Sequence, residues 1–363
     1  MNQGPVRTLP VLGISESSMN QKEATRLKDV DCLDVIPMVK TTGADIVARY
    51  ESVFERTGYP SAFLQDGGSN LNSAADLLNE KRSANNLPLI PKIPDIGHFS
   101  ATVVKKKFNK EAYLVKFLDQ ATSFNLKVRV TKYSFLMAPK ARTAGRYMGH
   151  MKQMVRWLYR LKTFTREAGR PTDGSLGQFV LEAFPDLCKT IRELTELVEV
   201  IDAEEFILKK LKIGGLTQGT YRSTKNRLKS LPEGHFYREA MLTWLENCWT
   251  IRKSIGITGA LRVSSDIIET ANGHWKQITA RMAGNETTHL ALAFPTFFGD
   301  LTEEQIANLI ANTSLNEVKD WCEDRVPITQ SKLKKMKFKP DTQLSEIDEL
   351  FANSTQEVES KAA

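Results

Sequence analysis

Three short stretches hold the side chains best suited to chemistry. In "FLQDGGSNL", residues 63–71, Asp66 follows an apolar, strand-like start and precedes Gly67, Gly68 and the beginning of a helix pattern. A carboxylate at the end of a strand lies where open α/β sheets form their ligand crevice; the same residue also serves as a turn Asp accepting backbone hydrogen bonds. In "SSDIIETANGHWKQI", Asp266 and Glu269 are three apart and share a helix face, with Trp275 and Lys276 two turns further on. Carboxylates in a first turn also favour the positive end of the helix dipole. In "IPDIGHFSATVVKKKF", Asp95 stands three residues before His98 and ahead of Lys105, Lys106 and Lys107. His98 reads either as a helix-start group or as a partner behind a metal-binding carboxylate, and Asp95 as its helix cap. A strand-end Asp, a distant helical Glu and a basic block between them fit two-metal phosphoryl transfer, in which hard Mg²⁺ ions held by carboxylates clamp the attacking and leaving oxygens.

The charge distribution points to the same kind of partner. The chain of 363 residues carries a net charge of +7, yet residues 101–170 alone contain seventeen Lys and Arg against Glu111, Asp119 and Glu167. Such a block is the electrostatic footprint of a phosphate-rich partner, because neutralising phosphates releases condensed counterions. A solvated helix face would mix in more acids. No stretch reaches the roughly 18 apolar residues of a spanning helix and the first residues lack a signal pattern, so a cytoplasmic protein is expected. The four cysteines, Cys32, Cys188, Cys248 and Cys322, stand singly and read as reduced, mostly buried thiols. "LKIGGLTQGTYRSTKNRLK" lacks the phosphate-loop pattern and reads as a turn between helices.

The elements that must position these groups alternate at first. Apolar runs at 6–14, 32–39, 61–65 and 87–95 predict strands, the last confined to an edge or strand end by Pro88, Pro91 and Pro94. Helix patterns lie between them, with apolar residues at Ile46, Val47, Tyr50, Val53 and Phe54 before a stop at Gly58. Strands alternating with helices imply an α/β sheet. Beyond residue 95 the pattern is helical, notably at 190–212, 238–256 and 264–282, with Ser265 as an N-cap and short helices near 302–313 and 316–325. Trp157, Tyr159, Trp244 and Trp249 fall on amphipathic helices and read as core or interface.

In their order, "LQDGGSNL", "IPDIGHFSATVVKKKF", "MAPKARTAGRYM" followed by Trp157, "SSDIIETANGHWK" and "ALAFPTFFGDLTEEQ" resemble a group of bacterial insertion-sequence transposases over roughly residues 6–330. The resemblance implies an RNase H-like DDE catalytic core with a mixed sheet, a large all-α insertion domain and a helical C-terminal part. It assigns 5–100 and 261–335 to the core and 101–260 to a basic helical insertion; the polar stretch 336–363, without a continuing apolar face, reads by itself as a loose tail. Asp66 looks like the second metal-binding Asp and Glu269 like the closing Glu, with Thr270 where Ser is commoner; Asp95, His98 and Asp266 would stand behind them. Mg²⁺ is the implied cofactor, and DNA, as transposon ends and target, the implied partner. The family's first catalytic Asp lies on a strand just upstream of the one resembled by "VRTLPVLGI". That strand, its Asp and the usual N-terminal DNA-binding region have no counterpart here, so a truncated or inactive derivative is expected.

Two other readings remain open. In one, the chain is a DNA-binding protein without catalysis, whose basic helices at Lys105 to Lys107 and Lys140 to Arg160 contact phosphate and position the protein without reading sequence; Lys105, Lys106, Lys107, Lys132, Lys140, Arg142, Arg146 and Lys276 are the candidate contacts. In the other, a helical interaction protein carries an unrelated α/β domain, Asp66 is a turn residue and Glu269 a dipole partner. The sequence is compatible with a homodimer and gives no small-molecule signature.

Overall fold

The computed structural model describes residues 7–15, 23–38, 41–139, 147–167, 175–281 and 291–325. Lys140, Arg142, Arg146 and the tail expected over 336–363 lie outside them. Along the chain run β1 (Arg7–Gly13), β2 (Asp31–Met38), α1 (Gly43–Thr57), β3 (Phe63–Gln65), α2 (Ser69–Ala84) and β4 (Lys92–Pro94). There follow α3 (Ile96–Phe108), α4 (Ala112–Val128), α5 (Tyr147–Glu167), α6 (Leu176–Ala183), α7 (Leu187–Glu193) and α8 (Thr195–Gly214). The last are α9 (Gln218–Lys229), α10 (Phe236–Ser254), α11 (Asp266–Arg281), α12 (Glu303–Asn312) and α13 (Leu315–Arg325). The chain divides into two compact units. One comprises Met1–Pro94, Ile213–Gly215 and Ile251–Ala363, and the other Asp95–Lys212 and Leu216–Thr250.

In the first unit β1 and β2 pair antiparallel from Arg7 opposite Met38 to Val11 opposite Asp34, after which the register jumps so that Leu12 faces Cys32. Leu33 is the extra residue of this bulge. The bulge reverses the alternation of β2. Leu33, Ile36 and Met38 join Leu9 and Val11 in one core, whereas Cys32 and Val35 join Leu12 and Ile14 in a second. In a regular strand Leu33 and Ile36, an odd number of residues apart, would point to opposite faces.

The first core is closed by α1 and α2. Thr42 caps α1 in a reciprocal box with Asp45, and Gly58 ends the helix at φ +82°. Ile46, Val47, Val53 and Phe54 are buried on the inner face, as their spacing predicts; each fully buried side chain of this size contributes about 2 kcal/mol. Tyr50 stacks on Phe63 of β3 with ring centroids 5.7 Å apart, which ties the second strand pair to the same core. β3 pairs parallel with β4, Phe63 opposite Lys92, with α2 as the crossover. The strand expected over 87–95 shortens to Lys92–Pro94. Ahead of it, Asn79 on α2 donates to the Ile90 oxygen and accepts from the Ile90 nitrogen, both at 2.9 Å, replacing a neighbouring strand.

Among the described residues the strands therefore form two separate pairs, one antiparallel and one parallel, instead of a single mixed sheet. Helices predominate, and the alternation β2, α1, β3, α2, β4 gives this unit its α/β character. The second core is covered by α11 and the 3-10 turn Ala291–Phe297, through Ala271, Trp275, Phe294 and Phe298.

The second unit is helical. Phe124 of α4 meets Trp157 of α5 edge-on at 5.5 Å, and Phe184 packs against both. The periodic stretch 190–212 is interrupted at Leu194, dividing it between α7 and α8. α8 ends at Gly214, and Gly215 at φ +60° turns the chain toward the Thr217 cap of α9, the turn expected from the Gly-Gly break.

Candidate functional site

Asp66 is exposed at the C-terminal end of β3. Its Oδ1 accepts the Gly68 N–H at 3.0 Å, and Gly67 takes φ +84°. Behind it, buried Gln65 donates from Nε2 to Asn72 Oδ1 at 2.5 Å, and Asn72 donates to the Gly67 oxygen at 3.0 Å. These two side chains pin the turn to the first turns of α2. One Asp66 oxygen thus shapes the turn while the other takes no hydrogen bond from the described residues. The turn reading and the ligand reading use different atoms of one carboxylate.

Glu269 projects from the first turn of α11 and is exposed, without a hydrogen bond or ion pair among the described residues. α11 starts directly after Ser265, and Thr270 donates to the Asp266 oxygen at 3.0 Å. The helix is held by Ile267, Ala271 and Trp275 in the second core. Trp275 meets Phe294 edge-on at 5.9 Å, and Lys276 beside it is exposed. The approach to α11 depends on Arg262, which is buried and donates to the oxygens of Ile213 at 3.1 Å and Glu23 at 3.2 Å. Burial holds its pKa below the ordinary arginine value. Sequence reasoning overlooked Arg262; the signal was a lone cation among Ala260, Leu261 and Val263, all of them buried.

Asp95 and His98 belong to the second unit. Asp95 is buried and accepts the His98 N–H at 2.6 Å, capping α3, while the His98 side chain is exposed. The cap accounts for this Asp95 carboxylate oxygen.

Oxygen donors such as Asp66 and Glu269 suit a hard divalent cation, and Mg²⁺ is commonly held by one or two carboxylates together with substrate phosphates. Among the described residues no group of three or more His, Cys, Asp or Glu side chains is arranged to hold a metal ion. The donor chemistry fits Mg²⁺ only with phosphate oxygens completing its shell.

The basic residues fall into two kinds. Lys105, Lys106 and Lys107 are exposed at the end of α3, with Lys107 3.3 Å from Glu111. Lys132 is exposed and sits 5.2 Å above the Tyr133 ring. On α5, by contrast, Lys152 pairs with Glu204 and Arg156 with Glu205 at 2.7 Å. Both cations lie in the stretch expected to face phosphate; Lys152 is engaged because Glu204 is buried on α8 and burial of a carboxylate requires a partner, whereas Arg156 pairs with the more exposed Glu205.

Trp157 and Trp244 are core residues, the Trp157 indole N–H donating to the Leu136 oxygen at 2.7 Å, and Trp249 stacks on Tyr221 at 4.7 Å. Tyr159 is exposed and lies outside the core. Of the thiols, Cys248 is buried, Cys32 half-buried and Cys188 exposed. Burial pushes the Cys248 pKa up to about 12 and, with Asp34 nearby, that of Cys32 to about 11. No helix among the described residues is long and apolar enough to cross a membrane. No family model and no curated protein sequence matches this chain.

Proposed function

We propose that this chain is built for DNA strand cleavage and strand transfer of the DDE-transposase type, on an RNase H-like core, with Asp66 and Glu269 as two of its metal-binding carboxylates. The carrying observation is the way the chain divides. Asp66 and Glu269 are far apart in sequence yet belong to one compact α/β unit, while most of the stretch between them forms a separate helical unit. A strand-end carboxylate and a helix-borne carboxylate in one unit, interrupted by a basic helical insertion, is the arrangement that the resemblance implies. The two strand pairs contribute to one core, which is compatible with the mixed sheet that the resemblance implies.

Asp66 and Glu269 would hold Mg²⁺ together with DNA phosphate oxygens, and the ion when bound would neutralise charge on the reacting phosphate and promote ionisation of the attacking hydroxyl. This chain's own contribution is to fix the Asp66 turn through Gln65 and Asn72 and the Glu269 helix through Arg262 and Trp275. Exposed Lys105, Lys106, Lys107, Lys132 and Lys276 supply cations for the DNA backbone. Residence in the cytoplasm accompanies this reading.

A second reading, DNA binding without catalysis, rests on the exposed cations Lys105, Lys106, Lys107 and Lys132 of the helical unit alone. The two separate in one experiment, in which the chain is incubated with Mg²⁺ and a labelled DNA duplex and the products are resolved by length and joining. Nicked or joined products that vanish in Asp66→Ala and Glu269→Ala support catalysis. Salt-sensitive binding with no product supports the second reading. If neither binding nor product appears at low salt, both are wrong.

A further inference from the structure

Between Asp119 and Glu167 the sequence contains no acid and eleven Lys and Arg residues. Within that stretch, the end of α4 and the loop after it form an unusual surface. Val130 is 88% exposed, Leu126 68% and Phe135 67%. Exposed Lys127, Arg129 and Lys132 are interleaved with them. Apolar side chains of this size would ordinarily fold inward, since burying each is worth about 2 kcal/mol.

The loop is held so that it does not. Asn125 brackets Ala138, accepting its N–H at 2.6 Å and donating to its oxygen at 3.4 Å. Thr131 donates to the Val128 oxygen at 3.0 Å and accepts the Tyr133 N–H at 3.1 Å. The Trp157 indole holds the Leu136 oxygen, and Tyr133 packs on Phe179 of α6 with centroids 4.7 Å apart. Leu136 and Val128 are buried. The backbone is anchored on both sides of Val130 and Phe135, and those two side chains are presented outward between cations.

We infer that this tip is a DNA wedge: Lys127, Arg129 and Lys132 seat on phosphates while Phe135 enters a base step of duplex DNA from the minor groove. Apolar side chains used in this way partly unstack a step and kink the duplex. The surrounding acid-free sequence makes the surface complementary to phosphate, and the rigid mounting avoids an ordering cost on binding. The inference rests on the DNA reading of the preceding section and adds the residues and the mode of contact.

The test uses the full chain and a duplex carrying 2-aminopurine at successive steps, titrated at several salt concentrations. The unaltered chain should bind with a fluorescence rise at one or a few steps. Phe135→Ser should abolish that rise and weaken binding about 10-fold, with an unchanged salt slope, in line with the few kcal/mol handled at an unstacked step. The combined Lys127→Gln, Arg129→Gln, Lys132→Gln variant should reduce the slope of log K against log salt by about 3. Binding by the unaltered chain that neither variant alters overturns the wedge and leaves the DNA reading standing. No binding by the unaltered chain overturns both. Phe135-dependent capture by anionic lipid vesicles, without a 2-aminopurine rise, overturns the wedge in favour of a membrane surface. Circular dichroism of Val130→Ser and Phe135→Ser should match the unaltered chain, since both side chains are exposed.

Discussion

Lys152 on α5 forms an ion pair with Glu204 on α8, whose side chain is 1% exposed. Burial outweighs the lysine and holds the Glu204 pKa above its ordinary value. The pair joins two long helices of the second unit, and removing one member strands the other in the interior.

Lys152→Met is expected to cost about 3–5 kcal/mol at neutral pH, the usual penalty for an uncompensated buried charge. Because the folded-state pKa of Glu204 is raised, the folded protein binds more protons than the unfolded chain above pH 4.5. Its contribution is therefore fully present below that pH and declines as pH rises through the folded-state value. Urea denaturation at pH 7 and near pH 4.5 should show most of the Lys152→Met deficit recovered at the lower pH. Glu204→Gln should remove this part of the pH dependence.

Gly215 stands at φ +60°, and a Cβ there would lie 2.9 Å from the Leu261 oxygen. Gly215→Ala meets both backbone strain and a carbonyl that belongs to a buried segment. A loss of about 1–3 kcal/mol follows, readable as a lower urea midpoint with an unchanged slope.

Asn79 makes two hydrogen bonds of 2.9 Å to the backbone of Ile90, itself buried. Asn79→Ala leaves both backbone groups unpaired at the edge of the β3–β4 pair. The expected cost is about 2 kcal/mol, and amide exchange at Ile90 should accelerate more than that of Val53 on α1.

Asp95 caps α3 through the His98 N–H. Asp95→Ala should lose about 1 kcal/mol and Asp95→Asn almost nothing, since Asn caps as well as Asp. If capping is its whole role, Asp95→Asn retains Mg²⁺-dependent action on DNA.

The elements of the first unit were readable because their patterns are local: the apolar spacing of Ile46, Val47, Val53 and Phe54, the stop at Gly58 and the alternation in β1 each report a face directly. The bulge at Leu33 was not readable, since its signature is a change of face within β2 that depends on what packs there. The shortening of β4 has a similar cause: Asn79, eleven residues away, takes the place of a strand. At the candidate site the sequence identified Asp66 and Glu269 by type and order but carried no sign of Gln65–Asn72 or of Arg262, whose partners are remote backbone groups. Lys152 and Arg156 read as free cations because Glu204 and Glu205 lie on another helix.

Asp66 and Glu269 are proposed to act on one metal site. The direct measurement is a Mn²⁺ titration by electron paramagnetic resonance in the presence of duplex DNA, with the unaltered chain, Asp66→Asn, Glu269→Gln and the double variant. The account predicts DNA-dependent Mn²⁺ binding that either single substitution reduces about as much as the double, the non-additivity of residues sharing one ligand. Mn²⁺ binding unchanged by these substitutions, or losses that simply add, would contradict it.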